Sequence, residues 1–130
     1  MHTTSQRPDP REFLPLTPHA FHVLLSLIDG ELHGYGIILD VEERTAGDVR
    51  LRTGTLYTIL RRLVEDGLII ETEPRALDET DERRRYYSHT PLGLAVTRAE
   101  AARLDRLVQL ARDKRVLPAA RPALSRGSGR

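Results

Sequence analysis

Three glycines punctuate residues 30–67 of this 130-residue chain, and what precedes them constrains the fold most. Gly30, Gly47 and Gly67 each follow a run of apolar residues at helical spacing, and glycine readily takes the left-handed conformation that ends a helix. The first run opens on Thr17-Pro18. Threonine caps a helix, and proline suits the first helical position because its missing N–H would be unpaired there anyway. Phe21, Leu24, Leu25 and Ile28 then share one face. The second run covers about Gly34 to Thr45, with Ile37, Ile38 and Val41 inward. Its opening, His33-Gly34-Tyr35-Gly36, sets two glycines at a helix start, where another backbone or a phosphate can come close. The third starts after Thr53 or Thr55. At about 100° per residue, Leu56, Ile59, Leu60 and Leu63 fall on one side and Tyr57, Thr58, Arg61 and Glu65 on the other.

Beyond Gly67 the period changes. Leu68 to Glu73 reads as a strand stopped by Pro74, and Arg84 to Thr90 supplies a second strand, giving a hairpin with a long tip. Pro91 to about Arg115 then forms one long helix whose apolar residues cover well over half its circumference. A helix so broadly apolar packs against two things, here its own domain and a second copy of the chain. Leu104, Leu107, Val108 and Ala111 are the residues expected across that two-fold axis. The predicted fold is mainly α with a small β-hairpin: a winged helix-turn-helix plus a long C-terminal dimerisation helix. Its parts are a flexible N-terminal arm (1–15), a winged-helix domain (16–90), the dimerisation helix (91–116) and a disordered basic tail (117–130).

Catalysis finds no foothold. The chain has no cysteine, which excludes disulfides, thiolate zinc sites and cysteine nucleophiles. It contains no Gly-rich phosphate loop, no Gly-x-Ser-x-Gly and no His-Glu-x-x-His. His19 and His22 stand three apart on one helix, but no neighbouring carboxylate or third histidine completes a ligand set. The carboxylate pairs Asp78/Glu79 and Asp81/Glu82 lie in a polar loop with nothing apolar to raise a pKa. No catalytic residue, metal or cofactor is assigned. No run of 18 apolar residues exists and the opening segment MHTTSQRPDP has no apolar stretch. Neither a membrane span nor a signal peptide is expected, and the predicted location is cytoplasmic.

Local charge is more informative than the net +1. Residues 49–64 hold no acid but include Arg50, Arg52, Arg61 and Arg62. Residues 83–99 again hold no acid, with Arg83, Arg84, Arg85 and Arg98. These windows fall on the third helix with its approach and on the return strand of the hairpin. Arginine's planar fork binds phosphate oxygens or a guanine edge bidentately. Hydroxyls of Thr53, Thr55, Tyr57 and Thr58 near the helix N-terminus can donate to phosphates. Double-stranded DNA is therefore the expected partner, and a dimer would set its two reading helices roughly 34–36 Å apart on an inverted repeat. The competing expectation is a winged helix used for protein–protein contact alone. Against it, the Tyr57-Thr58-Arg61 face is narrow and polar.

Several short segments together resemble the PadR family of transcriptional regulators. They are Leu16-Thr17-Pro18, His33-Gly34-Tyr35-Gly36-Ile37, Gly54-Thr55-Leu56-Tyr57 with Arg62-Leu63, Asp66-Gly67-Leu68-Ile69, Arg84-Arg85-Tyr86-Tyr87 and Thr90-Pro91-Leu92-Gly93. The resemblance covers roughly Leu16 to Ala111, with the short C-terminal region of the family's smaller size class. It implies a winged-helix DNA-binding domain, dimerisation through the long helix, and repression released by a small aromatic or hydrophobic effector. Carried onto this chain, Gly54 to Arg62 would read DNA, with Tyr35 beside it and Tyr57 on the phosphate backbone, and Arg83, Arg84 and Arg85 would serve the wing. The wing tip (Ala76 to Glu82) is longer and more acidic than a compact basic wing, leaving the basic stem as the expected contact. The chain has no tryptophan, so a drug sandwiched between tryptophans is not implied.

Overall fold

Thr17 caps the first helix as its sequence predicts: its hydroxyl accepts the Ala20 N–H at 3.1 Å, and Pro18 begins α1 (Pro18–Ser26). In this computed structural model, residues 8–73, 75–76 and 83–120 are described. After α1 come a two-residue strand β1 (Leu32–His33), α2 (Gly34–Arg44) and α3 (Thr53–Glu65). Strands β2 (Ile69–Glu71), β3 (Arg75–Ala76), β4 (Arg83–Arg84) and β5 (Tyr86–His89) follow, and α4 (Pro91–Asp113) ends the series. Contacts divide the chain into two compact units, residues 1–100 and 101–130.

The first unit is built on one apolar cluster. Val23, Leu24 and Leu27 of the α1 segment meet Ile37 and Val41 of α2, Leu56, Leu60 and Leu63 of α3, and Val96 of α4. The inward face of α1 is thus rotated from the one expected. Ile28 is 46% exposed, whereas Val23 and Leu27 are buried, because α1 ends at Ser26 and Ile28 already lies in the following turn. Gly67, at φ +80°, lets the chain leave α3 and pass straight into β2, a conformation that costs a Cβ-bearing residue energy.

The sheet has three strands, not the two of a simple hairpin. β5 is central, with β2 antiparallel on one side (Ile69 opposite His89, Glu71 opposite Tyr87) and β1 on the other (Leu32 opposite Tyr87). β3 and β4 pair separately, Arg75 opposite Arg84, so the predicted strands over 68–73 and 84–90 are shorter and interrupted. The expected stop at Pro74 and the acidic tip at 77–82 lie outside the described residues.

Two further expectations change. Part of the predicted arm is ordered: Asp9 caps a 3-10 turn at Pro10–Phe13, and Phe13, Leu14 and Leu16 pack against the core. These are the apolar residues of the segment, and a core this small recruits them. The boundary expected at residue 90 also shifts, because Val96, Thr97 and Glu100 of α4 are buried within the first unit. Gly93 explains the close seating of α4. A Cβ there would overlap the Leu68 carbonyl, so only glycine lets the helix start against that strand. Thr90 completes the joint: its hydroxyl donates to Gly67 O at 2.7 Å and accepts the Gly93 N–H at 2.9 Å. In the second unit, Leu107 and Leu110 are exposed, and Leu104, Val108 and Ala111 are half-buried. Among the described residues no helix is long and apolar enough to cross a membrane, and no group of three or more potential ligands could hold a metal ion.

Candidate nucleic-acid interface

Helix α3 carries the candidate interface on the side opposite Leu56, Leu60 and Leu63. Gly54, Thr58 and Arg61 stand in a row along its outer face, all exposed. Neither Thr53 nor Thr55 caps the helix. Arg52 occupies the N-cap position without a side-chain bond, so the first-turn N–H groups point outward without a side-chain acceptor. That end of the helix also carries the positive end of its dipole. The Thr58 hydroxyl donates to Gly54 O at 3.0 Å, so it must leave that bond before it can donate outward. Arg61 makes no ion pair among the described residues, whereas Arg62 reaches Asp66 at 3.4 Å on one flank of the helix. Glu65, also exposed on the outer side, puts an acid one turn beyond Arg61 at the C-terminal end.

Tyr57 explains the first glycine of the His-Gly-Tyr-Gly segment. A Cβ on Gly34 would run into the Tyr57 phenol oxygen and Cζ, so the close approach seen at this glycine is made by a tyrosine ring. Tyr57 keeps 42% of its surface exposed, and Tyr35, 59% exposed, stands at the start of α2. Both hydroxyl-bearing rings therefore remain accessible.

The wing arginines Arg84 and Arg85 do not share one patch. Arg85 faces a groove of about 310 Å³ shared with Tyr57, Arg61 and Tyr87, and its guanidinium pairs with Glu71 of the neighbouring strand at 2.5 Å. That bond raises the Arg85 pKa above its ordinary value. Tyr87 is buried beneath them; burial first, then the charge of Glu71, push its pKa up to about 12, so it stays a neutral phenol. Arg84 turns to the opposite face, as alternation along an extended chain requires, and its Nη1 lies 2.8 Å from His33 Nε2. Arg83 sits in β4 opposite Ala76. Sequence reasoning missed Glu71 and His33 as partners of these arginines. The signal for Glu71 was the strand register, and none existed for His33, whose partner lies 51 residues away.

The sequence profile described as "Transcriptional regulator PadR-like family" matches residues 23–99, well over half of the chain. This chain belongs to the PadR-like family of transcriptional regulators. A Mycobacterium tuberculosis protein named transcriptional regulator Rv3488 is 34% identical over 88 residues, covering 68% of this chain and 77% of that protein. A transcriptional regulator from Clostridium thermocellum has the same fold at 28% identity and TM-score 0.60, over 75% of this chain and 89% of that one. Bacillus subtilis PadR, solved in complex with operator DNA, matches at 20% identity and TM-score 0.57, over 87% of this chain but only 56% of that one. Its likeness is one of fold. The winged-helix PadR architecture predicted from the resemblance is thus the one observed, and the family and these relatives are transcriptional regulators, not enzymes.

Proposed function

We propose that this PadR-family regulator binds operator DNA as a homodimer, with α3 entering the major groove by its exposed face. The observation that carries the reading is Arg61: an exposed guanidinium with no ion pair among the described residues, mid-helix on a narrow polar face. Arg52, Thr53, Thr55 and Tyr57 flank it toward the helix N-terminus, suited to phosphates, with Arg62 beside it and Tyr35 on α2. Arg83, Arg84 and Arg85 serve the flanking backbone from the wing stem. Leu104, Leu107, Val108 and Ala111 join two copies, so the operator is an inverted repeat. The complex of Bacillus subtilis PadR with operator DNA supports this use of the fold.

Repression relieved by a small aromatic or hydrophobic effector follows from the family resemblance, as does a cytoplasmic location. A groove of about 370 Å³ beside α3, lined by Phe13, Pro15, Leu16, Ile59 and Leu63 together with Thr17, Thr58, Arg62 and Asp66, has the size for such a ligand. Selection of bound fragments from a random DNA library at moderate salt tests the core of the reading. A palindrome is expected. On the selected duplex, Arg61→Ala should weaken binding by about 1–3 kcal/mol and relax preference at one base pair. Recovery of fragments with no shared sequence would overturn specific recognition and leave a protein–protein role.

A further inference from the structure

His33 is asked to accept two hydrogen bonds with one lone pair. Its Nδ1 lies 3.0 Å from Gly36 N, within capping distance of α2, whose N-cap residue it is. Its Nε2 lies 2.8 Å from Arg84 Nη1 in the wing. Backbone N–H and guanidinium N–H can only donate. A neutral imidazole carries a proton on one nitrogen and a lone pair on the other, so only one of these donors can be satisfied at a time. Protonating the ring relieves nothing, since both nitrogens would then point N–H at a donor. Burial, and then the Arg84 charge, hold the His33 pKa below its ordinary value, which keeps the ring neutral near pH 7. Tyr86 of β5 packs edge-on against the ring, centroids 5.4 Å apart, and confines it to this place between helix and wing.

We propose that His33 is a positioning residue which exchanges partners when DNA binds, holding the wing's Arg84 in the free protein and capping α2 once a phosphate takes Arg84 away. The inference rests on the DNA-binding reading above. In the free protein the charge-assisted bond from Arg84 is the stronger of the two, so Nε2 accepts and Nδ1 carries the proton, leaving the first turn of α2 without its cap. A DNA phosphate competes for the guanidinium with a full negative charge. When Arg84 leaves, the proton moves from Nδ1 to Nε2 through solvent, and Nδ1 accepts the Gly36 N–H. The turn that tightens begins at Gly34, the glycine against which the Tyr57 ring of α3 rests. Engagement of the wing is thereby felt at the base of the reading helix.

The exchange is visible as a tautomer. In full-length protein labelled with 15N-histidine, long-range 1H–15N correlation spectra report which ring nitrogen of His33 is protonated. The expected result is the Nδ1–H form in the free protein and the Nε2–H form both in Arg84→Ala without DNA and in wild type with a random-sequence duplex at low salt. The same tautomer in free wild type and in Arg84→Ala would overturn the proposal. A change in Arg84→Ala but none on binding DNA would overturn the exchange while keeping the His33–Arg84 contact. If the duplex moves no signal anywhere, the DNA-binding reading itself fails, and Arg84→Ala still decides the contact. A second variant separates positioning from folding. His33→Asn keeps a good N-cap residue, so its DNA affinity should equal or exceed that of wild type. Arg84→Ala should bind several-fold more weakly, with a logarithmic salt slope smaller by about 1.

Discussion

Single residues carry much of the burden in so small a core, and Gly93 is the clearest case. Nothing in its sequence context distinguishes it from any weak helix former in a first turn. Its need arises only when α4 is laid against Leu68, where any Cβ would occupy the carbonyl oxygen's place. Gly93→Ala must push α4 off the strand and loosen the Thr90 bonds that close the joint. A loss of about 1–3 kcal/mol or more is expected in thermal or denaturant unfolding. Two histidines add a dependence on pH. Burial first, then Arg44 and His19, lower the His22 pKa; burial and then Arg84 lower that of His33. In the unfolded chain both sit near the ordinary 6.5, so on acidification the unfolded state takes up protons first. Stability is therefore complete above about pH 6.5 and falls as pH drops through that value toward the lowered folded values. Melting temperatures between pH 7.5 and 5.5 should fall more steeply in wild type than in a His22→Gln, His33→Asn double variant.

At the scale of elements, what could be read along the chain was whatever is fixed locally. Thr17-Pro18, the apolar stripe of α3 and the glycines at 47 and 67 act over a few residues, and the helices appear where they predict. β1 could not be read, because two residues carry no period and Leu32 and His33 become a strand only by pairing with β5 some fifty residues on. The same holds for the candidate site. Arg61 is exposed on α3, without an ion pair among the described residues, as its position on the helix implies, whereas the partners of Arg84 and Arg85 follow from strand register and a tertiary contact. Gly54 joins both scales. It lies in the first turn of α3, on the exposed face, with nothing within 4 Å of where a Cβ would be. Gly54→Ala should therefore stabilise the free protein by about 0.5–1 kcal/mol, since alanine is the better helix residue. If the helix N-terminus seats against DNA, the same methyl group intrudes on the contact. Raised melting temperature with weakened binding to the selected duplex is the expected pair of results; unchanged binding would move the DNA away from Gly54.

For the whole molecule the question is how a nearly neutral chain holds a polyanion. Residues 1–100 carry 12 basic and 17 acidic groups, whereas residues 101–130 carry 8 and 2, so the near-zero total conceals an acidic reading unit and a basic C-terminal one. An acidic reading unit gains little from the general attraction of phosphates, and a single copy should hold DNA weakly at physiological salt. On the proposed dimer, affinity comes from two half-sites engaged together, which makes the second effectively intramolecular. That places the demand on α4 beyond the first unit. Leu107, 48% exposed on the described chain, offers a position where a charge can be introduced without disturbing the core of residues 1–100. Leu107→Asp should convert a dimer into a monomer by sedimentation equilibrium while leaving the helical content by circular dichroism nearly unchanged. Binding to the full palindrome should fall by roughly 10²-fold or more, toward the affinity for a single half-site. A monomeric wild type, or a variant that separates into monomers yet keeps full palindrome affinity, would mean that one reading unit suffices and that the basic C-terminal segment supplies the missing attraction.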